Sequence, residues 1–314
     1  MPAAARGALL PFLLFLGLAL CPLAAKLGTE GFILSLMTRV VIVALAAMAL
    51  DLLIGFGGLV SFGHAAFLGI GAYAVGILSS EGVTDAGAHL LLAILAAALF
   101  ALATGAVSIR TTGVHFIMIT LAFGQMLYFL ATALSGYGGD DGMSLPGRSR
   151  IVGRDLLASD AAFYWTALGI LLAAYLFLRR VVASRFGRVL AGARDNPIRM
   201  EAIGFSPARY QLAAYILSGV IAAIAGCLLA NLSGFVSPAS MAWQRSGDLI
   251  FIAVLGGLGS LHGAILGALA FILLEEWLAH YSEHWRIVFG PLLVLAVLFM
   301  RGGLAGLLDR LGLR

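Results

Sequence analysis

Ten mostly apolar stretches recur along this 314-residue chain, over 8–26, 32–54, 59–79, 89–108, 114–134, 162–180, 210–232, 247–260, 262–279 and 287–300. An α-helix needs roughly 20 apolar residues to cross the ~30 Å hydrocarbon core of a bilayer. Where no water reaches, the helix satisfies its own backbone polar groups, which is why such stretches fold as helices. The eighth and tenth stretches are short, so eight to ten spans are expected, with ten favoured. Composition closes the alternatives. Only 11% of the residues are charged and 62% are hydrophobic, whereas soluble domains carry roughly 25% charged residues. The expected fold class is all-α, a polytopic membrane protein read as one transmembrane domain over 1–314.

The 40 glycines suit helices that pack closely in a membrane. Gly259, Gly263 and Gly267 are spaced i, i+4, i+8 and are expected to form a packing ridge. Two cysteines, Cys21 and Cys227, lie in apolar runs far apart and suggest neither a disulfide framework nor a metal site. Arg6, the apolar run to Cys21 and the "PLAAK" that follows imitate a signal peptide, but Leu20 is too large for a lipoprotein-type cleavage site. Residues 8–26 are therefore read as a retained first span. "GGLVSFGHAAFLGIGAYA" from Gly57 resembles "GGLGSLHGAILGALAF" from Gly256 once a one-residue gap is allowed, a weak sign of an internal repeat.

Orientation follows from the excess of Lys and Arg in cytoplasmic loops. With ten spans and both ends cytoplasmic, twelve of the 19 basic residues fall inside, six fall outside, and Arg39 lies within a span. The segment 184–211 then faces the cytoplasm, and the Gly/Asp-rich loop over about 135–161 faces outside.

A phosphate-binding P-loop requires Gly-x-x-x-x-Gly-Lys-Ser/Thr. The one lysine here, Lys26, sits between Ala25 and Leu27, so any ATPase driving this chain is another polypeptide. Ion-coupled carriers place acids or histidines deep in the bilayer. Here Asp51, Glu275 and Glu276 lie near span ends, and Arg39 is the exception, placed to snorkel or pair. His64, Gln125 and Tyr128 are the candidates for a translocation path, Gln125 and Tyr128 being three apart on one helical face. His280, Glu283 and His284 match the H-x-x-E-H spacing of a zinc peptidase. They occupy a short connection between Trp277 and Trp285, where polar residues of an interfacial aromatic belt are expected, so no metal site is expected.

Residues 184–211 read "SRFGRVLAGARDNPIRMEAIGFSPARYQ". Asn196-Pro197 marks a break, with Asn196 fit to cap a new helix and Pro197 fit to open it. Gly204 ends it, so two short helices are expected. Phe186, Val189, Leu190, Met200, Ile203 and Phe205 lie between the arginines. A solvated linker has no need of them, so the segment is read as a docking element for a cytoplasmic partner.

Three blocks carry a family resemblance: "DLLIGFGGLVSFGHAAFLGIGAYAVGIL"; "GVHFIMITLAFGQMLYFL" with "GGDDGMSL"; and the stretch from "SRFGRVLAGARDNPIRMEAIGFSPARYQLAAYILSG" to "GFVSPASMAWQRSGDLIFIAVLGGLGSLHGAILGALAF". Together they resemble the LivM-type permeases, the branched-chain amino acid class of ABC importer membrane subunits, over most of residues 51–271. The resemblance implies an ABC importer permease fold in a bacterial inner membrane. It also implies a second, LivH-like permease, two cytoplasmic LivG/LivF-like ATPase subunits holding ATP and Mg, and a periplasmic substrate-binding protein. No enzymatic activity and no cofactor are then expected in this chain, and no nucleic acid. The coupling element that receives the ATPase stroke maps to Gly187, Arg188, Arg194, Asp195, Asn196, Ala202 and Gly204, with Glu201-Ala202-Ile203-Gly204 as a shortened form of the wider coupling motif. Leucine, isoleucine and valine are the expected cargo. Urea or short-amide transport by the same architecture, and an autonomous ion-coupled carrier, stand as the alternatives.

Overall fold

A computed structural model of the chain describes residues 9–25, 30–151, 153–281, 287, 289–291, 294–295 and 302–310. The described residues are helical almost throughout: α1 (Leu9–Ala25), α2 (Glu30–Asp51), α3 (His64–Ser80), α4 (Ala86–Ser108), α5 (Val114–Ala133), α6 (Asp160–Ala183), α7 (Arg185–Asp195), α8 (Pro197–Ala202), α9 (Pro207–Ser233), α10 (Trp243–Gly256), α11 (Leu261–Tyr281) and α12 (Gly303–Arg310). Local signals open and close them. The Asp85 carboxylate accepts from the Ala88 amide at 3.1 Å at the start of α4, and the Ser159 hydroxyl accepts from Ala162 at 3.2 Å at the start of α6. Gly234, at φ +64°, ends α9 in the left-handed region.

Among the described residues, six segments are long and apolar enough to cross a membrane: 31–56, 86–108, 114–133, 160–183, 207–233 and 261–281, with shorter apolar helices over Leu9–Pro22 and His64–Ser80. The protein is a polytopic all-α membrane protein. Two expected spans change. The span expected over 59–79 starts at His64, because α2 runs on into a π-helical turn (Leu52–Phe56) and the chain then stays non-helical to Gly63. The span expected over 247–260 is instead α10, ending at Gly256. At about 1.5 Å per residue this 14-residue helix is too short to cross the bilayer alone. Most of the stretch expected over 287–300 lies outside the described residues.

α2 and α9 form the axis of the bundle. Of their apolar windows, 67% and 61% are buried, against 28% for α4 and 22% for α5. α9 packs along α3, α4 and α2, while α11 and α6 pack on α2. The α3–α9 crossing depends on two glycines. A Cβ on Gly71 would collide with the Ala223 carbonyl, and one on Gly226 with the Leu68 carbonyl. The Cys227 thiol donates to the Gly71 carbonyl at 3.3 Å in the same contact.

Where the backbone leaves helical geometry inside the bundle, side chains complete it, as a dry environment requires. The Phe62 amide donates to Thr120 Oγ1 at 3.3 Å, and the Ala65 amide donates to Ser246 Oγ at 2.9 Å. Ser246 lies near the start of α10, after a connection from α9 that dips into the bundle: Met241 is buried against Gly69, and the short turn Pro238–Met241 packs on α3 and α5.

Chain direction alternates, so connections fall at two ends. One end carries α7 and α8, Arg110, Arg179 and Arg180. The other carries Glu81, Asp85, Asp140, Asp141, Asp155 and Asp160. At the acidic end, residues 143–144 pair antiparallel with 235–236, Met143 opposite Val236. The Ser149 amide donates to Asn231 Oδ1 at 2.7 Å, and His89 Nδ1 lies 2.7 Å from Ser149 Oγ. Arg148 pairs with Asp160 and stacks over Phe163 at 4.9 Å. The glycine-rich connection is thus clamped onto the bundle.

Candidate functional site

The arginine end is built around α7. Ser184 caps it, its hydroxyl accepting from the Phe186 amide at 3.1 Å. Gly187, Val189, Leu190 and Ala193 form its buried face. A Cβ on Gly187 would collide with the Val182 carbonyl, so only glycine lets α7 turn this closely off α6. Asn196 Oδ1 then accepts from the Arg199 amide at 2.9 Å, Pro197 opens α8, and Gly204 at φ +89° turns the chain toward α9. The two-helix form with its break at Asn196-Pro197 is the one those residues encode. Replacing Asn196 with alanine is expected to cost about 1 kcal/mol of local stability. Hydrogen exchange at the Arg199 amide reads it directly, and unchanged protection there would show that the cap contributes nothing.

The apolar residues of this segment divide in two. Val189 and Leu190 are buried, and Phe186 and Phe205 lean on Tyr210 with ring centroids 5.6 and 6.2 Å away. Those four serve the bundle at least in part. α8 has no buried residue, and Ile198 is 77% and Ile203 62% exposed. Ile198 was not singled out from sequence, because a single isoleucine after a proline carries no periodic signal. Arg188, Asp195, Asn196, Ala202 and Gly204 are exposed around them.

Arg194 joins this pair of helices to the spans. Its guanidinium donates to the Gly55 carbonyl in the π-helical turn that ends α2, and to Asp195 Oδ1 at 3.1 Å. Its methylenes occupy the space a side chain on Gly58 would take. A π turn leaves a carbonyl out of the regular ladder, and Arg194 takes one such acceptor. Four residues before Gly55, at the end of α2, buried Asp51 accepts from the Gly259 amide at 2.8 Å. One continuous set of contacts therefore runs from α7 through the end of α2 to the α10–α11 turn.

That turn corrects the expected glycine ridge. Gly259 is not on a helix: it sits in the turn at φ +78°. Gly263 and Gly267 do lie on α11, where a Cβ on either would press into the α10 backbone at Gly256 and Ile252. The two similar stretches beginning at Gly57 and Gly256 both form a turn followed by a helix, with His64 and His262 near the helix starts. Their packing differs, α11 lying on α10 and α3 on α9 and α4. Leu10, Arg179 and Gly302 line one cavity of about 620 Å³ at this end, so the first and last described helices approach each other there.

The expected path residues differ in their surroundings, although Gly63 and Gly124, their chain neighbours, pack against each other. His64 is fully buried, its Nε2 3.1 Å from Ser218 Oγ, and it opens α3 inside the core. Gln125 and Tyr128 are half-buried on α5, and Tyr128 packs edge-on against Phe129. A different cavity, of about 380 Å³, opens toward the acidic end between α2, α3, α9, α10 and α11. At its rim Arg39 reaches both Glu275 carboxylate oxygens, at 3.0 and 3.2 Å, and Arg245 lies 3.7 Å from Asp248. Arg39 and Glu275 were both visible as charges in apolar runs; their pairing across 236 residues was not. His280 ends α11 beside Tyr281, while Glu283 and His284 of the peptidase-like trio lie outside the described residues.

Residues 32–297 match the family model described as "Branched-chain amino acid transport system / permease component". The chain is similar to the high-affinity branched-chain amino acid transport system permease protein LivM of Salmonella typhimurium, at 27% identity over 292 residues, covering 85% of this chain and 68% of that protein. LivM of Escherichia coli K12 is similar to the same extent. LivH of that strain, a permease protein of the same transport system, is 26% identical over 285 residues, covering 84% of this chain and 91% of its own length. No solved structure matches the chain.

Proposed function

This chain belongs to the branched-chain amino acid transport permease family, and from that premise we propose that it is one translocating subunit of an ATP-driven importer of leucine, isoleucine and valine. The observation that carries the ATP-driven part is the α7–α8 pair: an exposed, arginine-rich knob with bare isoleucines, tied by Arg194 to the turn between two spans. Such a knob is a receiver for force from a partner. The sequence has no P-loop, so the ATP and its Mg belong to two ATPase subunits docked on this end. The distribution of arginines supports a cytoplasmic arginine end. The shared cavity of Leu10 and Gly302 supports both termini lying on that side. The clamped 143–159 segment then faces the periplasm and offers a rigid platform for a substrate-binding protein, and a second, LivH-like permease completes the pathway.

In this mechanism the partner ATPases close on ATP and press α7–α8. Arg194 passes the displacement to the end of α2, and Asp51 passes it to the α10–α11 turn. The spans rock and the site alternates between its two faces.

Assembly and transport test this reading together. The chain purified with its co-expressed partners is expected to retain the ATPase subunits, and Ile198→Asp to release them while Ile198→Leu keeps them. In proteoliposomes, labelled leucine uptake is expected only with the ATPases present and ATP on their side. Uptake by the chain alone, driven by an ion gradient, would make it an autonomous carrier. Uptake of urea or short amides in place of leucine would make the cargo reading wrong while leaving the mechanism intact.

A further inference from the structure

We propose that the cavity between α2, α3, α9, α10 and α11 is a binding site, within this one subunit, for a zwitterionic amino acid with an aliphatic side chain. The proposal rests on the import reading above and sharpens its cargo.

Three properties of the cavity point the same way. The first is size. Small-molecule sites enclose roughly 300–1,000 Å³, and this cavity, at about 380 Å³, lies at the lower end, suited to a molecule of amino-acid dimensions. The second is the floor. Leu68, Ala72, Ile252, Phe271 and Ile272 line it, and all are buried, so an aliphatic side chain entering there leaves water for hydrocarbon. Urea or a short amide gains nothing from such a floor.

The third is the charge at the rim. Arg39 with Glu275 and Arg245 with Asp248 place two cations and two carboxylates around one opening, with no net charge. A ligand carrying one net charge would leave one charge at the opening without a partner. A zwitterion brings one charge of each sign. Its carboxylate takes an arginine and its ammonium takes a carboxylate, so every group ends paired. Both rim pairs are partly solvated: the side chains of Arg39 and Glu275 are 35% and 19% exposed, and Arg245 and Asp248 more so. Pairs of this kind contribute little on their own and open readily. Arginine also presents the fork that binds a carboxylate through two hydrogen bonds.

Two other cavities lack this combination. The one beside α1 is lined by Leu13, Leu18, Cys21, Met37, Ile265 and others, with no charged side chain. The one at the acidic end, around Gly147 to Asp155, has charge but no aliphatic floor.

Direct binding decides the matter. Labelled L-leucine is titrated onto the full-length chain in detergent, with three competitors: isovalerate, which lacks the ammonium; isoamylamine, which lacks the carboxylate; and urea. Saturable leucine binding is expected. Each half-ligand should compete at least about tenfold more weakly, since one charged hydrogen-bonding partner is lost. Arg39→Gln and Glu275→Gln should each weaken leucine by a similar factor, and Ala72→Phe should remove binding by filling the floor. Should Ala72→Phe not elute as a folded species, the double variant Arg39→Gln with Glu275→Gln, which keeps a neutral hydrogen-bonded pair, decides instead. Absence of saturable binding, competition by urea equal to that of leucine, or folded variants that bind like the parent would each overturn the site. The same variants in the reconstituted assembly separate the two readings. Leucine import at the parental rate by Ala72→Phe defeats the cavity and leaves the importer standing. An assembly that imports no amino acid defeats the importer itself.

Discussion

Replacing Gly226 with leucine will leave no folded protein in a detergent extract, while the same replacement at Gly169 will be tolerated. Both glycines lie inside long spans, on α9 and α6. A Cβ on Gly226 would run into the Leu68 carbonyl, whereas nothing lies within 4 Å of one on Gly169. Overpacking typically costs about 1–3 kcal/mol when side chains can move aside. Here the obstacle is the backbone of α3, and α3 in turn presses Gly71 into the Ala223 carbonyl of α9. The two helices would have to separate along their whole crossing, losing the hydrogen bond from Cys227 to Gly71. At Gly169 leucine gains helix propensity, worth about 0.8 kcal/mol or more over glycine. Size-exclusion profiles and thermal midpoints compare the pair. A Gly226→Leu protein as monodisperse and heat-stable as Gly169→Leu would show that close backbone approach does not hold α3 to α9.

The second large effect is functional. Arg194→Ala will leave the subunits assembled and hydrolysing ATP but will lower leucine uptake at least about tenfold, because a hydrogen bond from a charged donor is worth about 1.5–3 kcal/mol and 1.4 kcal/mol is a factor of ten. Arg194 is the side chain that holds both Asp195 on the knob and the Gly55 carbonyl in the span. Its loss is expected to uncouple the two without disturbing the exposed isoleucines proposed to meet the partner. Lysine has one point donor group where arginine has a fork, so Arg194→Lys should restore part of the uptake and not all of it. The ratio of ATP hydrolysed to leucine imported is the measurement. A ratio unchanged in Arg194→Ala would mean that force does not travel through this contact.

What could be read from the sequence divides by the range of the interactions responsible. The long spans are written in local hydropathy, and the α7–α8 break in residues that act on their own backbone: Ser184, Asn196, Pro197 and Gly204. The start of α3 could not be read, because its non-helical approach is held by Thr120 and Ser246, 58 and 181 residues away from their partners. Gly259 shares a spacing with Gly263 and Gly267 but not a helix, since the Asp51 carboxylate takes its amide into a turn. His64 stands out in the sequence as a histidine in an apolar run, but its partner Ser218 on α9, 154 residues away, could not be read. Arg39 and Glu275 each stood out as well, and only the fold brings them together.

That pairing has an electrical consequence. Carrying one elementary charge across a membrane held at 100 mV involves about 2.3 kcal/mol. Arg39 and Glu275 move as a neutral couple while they stay in contact, and a zwitterion seated between such groups adds no charge of its own. The rearrangement of this site therefore does no work against the field. If the proposed zwitterion is the cargo, its uptake is expected at the same rate in an energised and a depolarised membrane, because neither it nor the Arg39–Glu275 couple carries net charge.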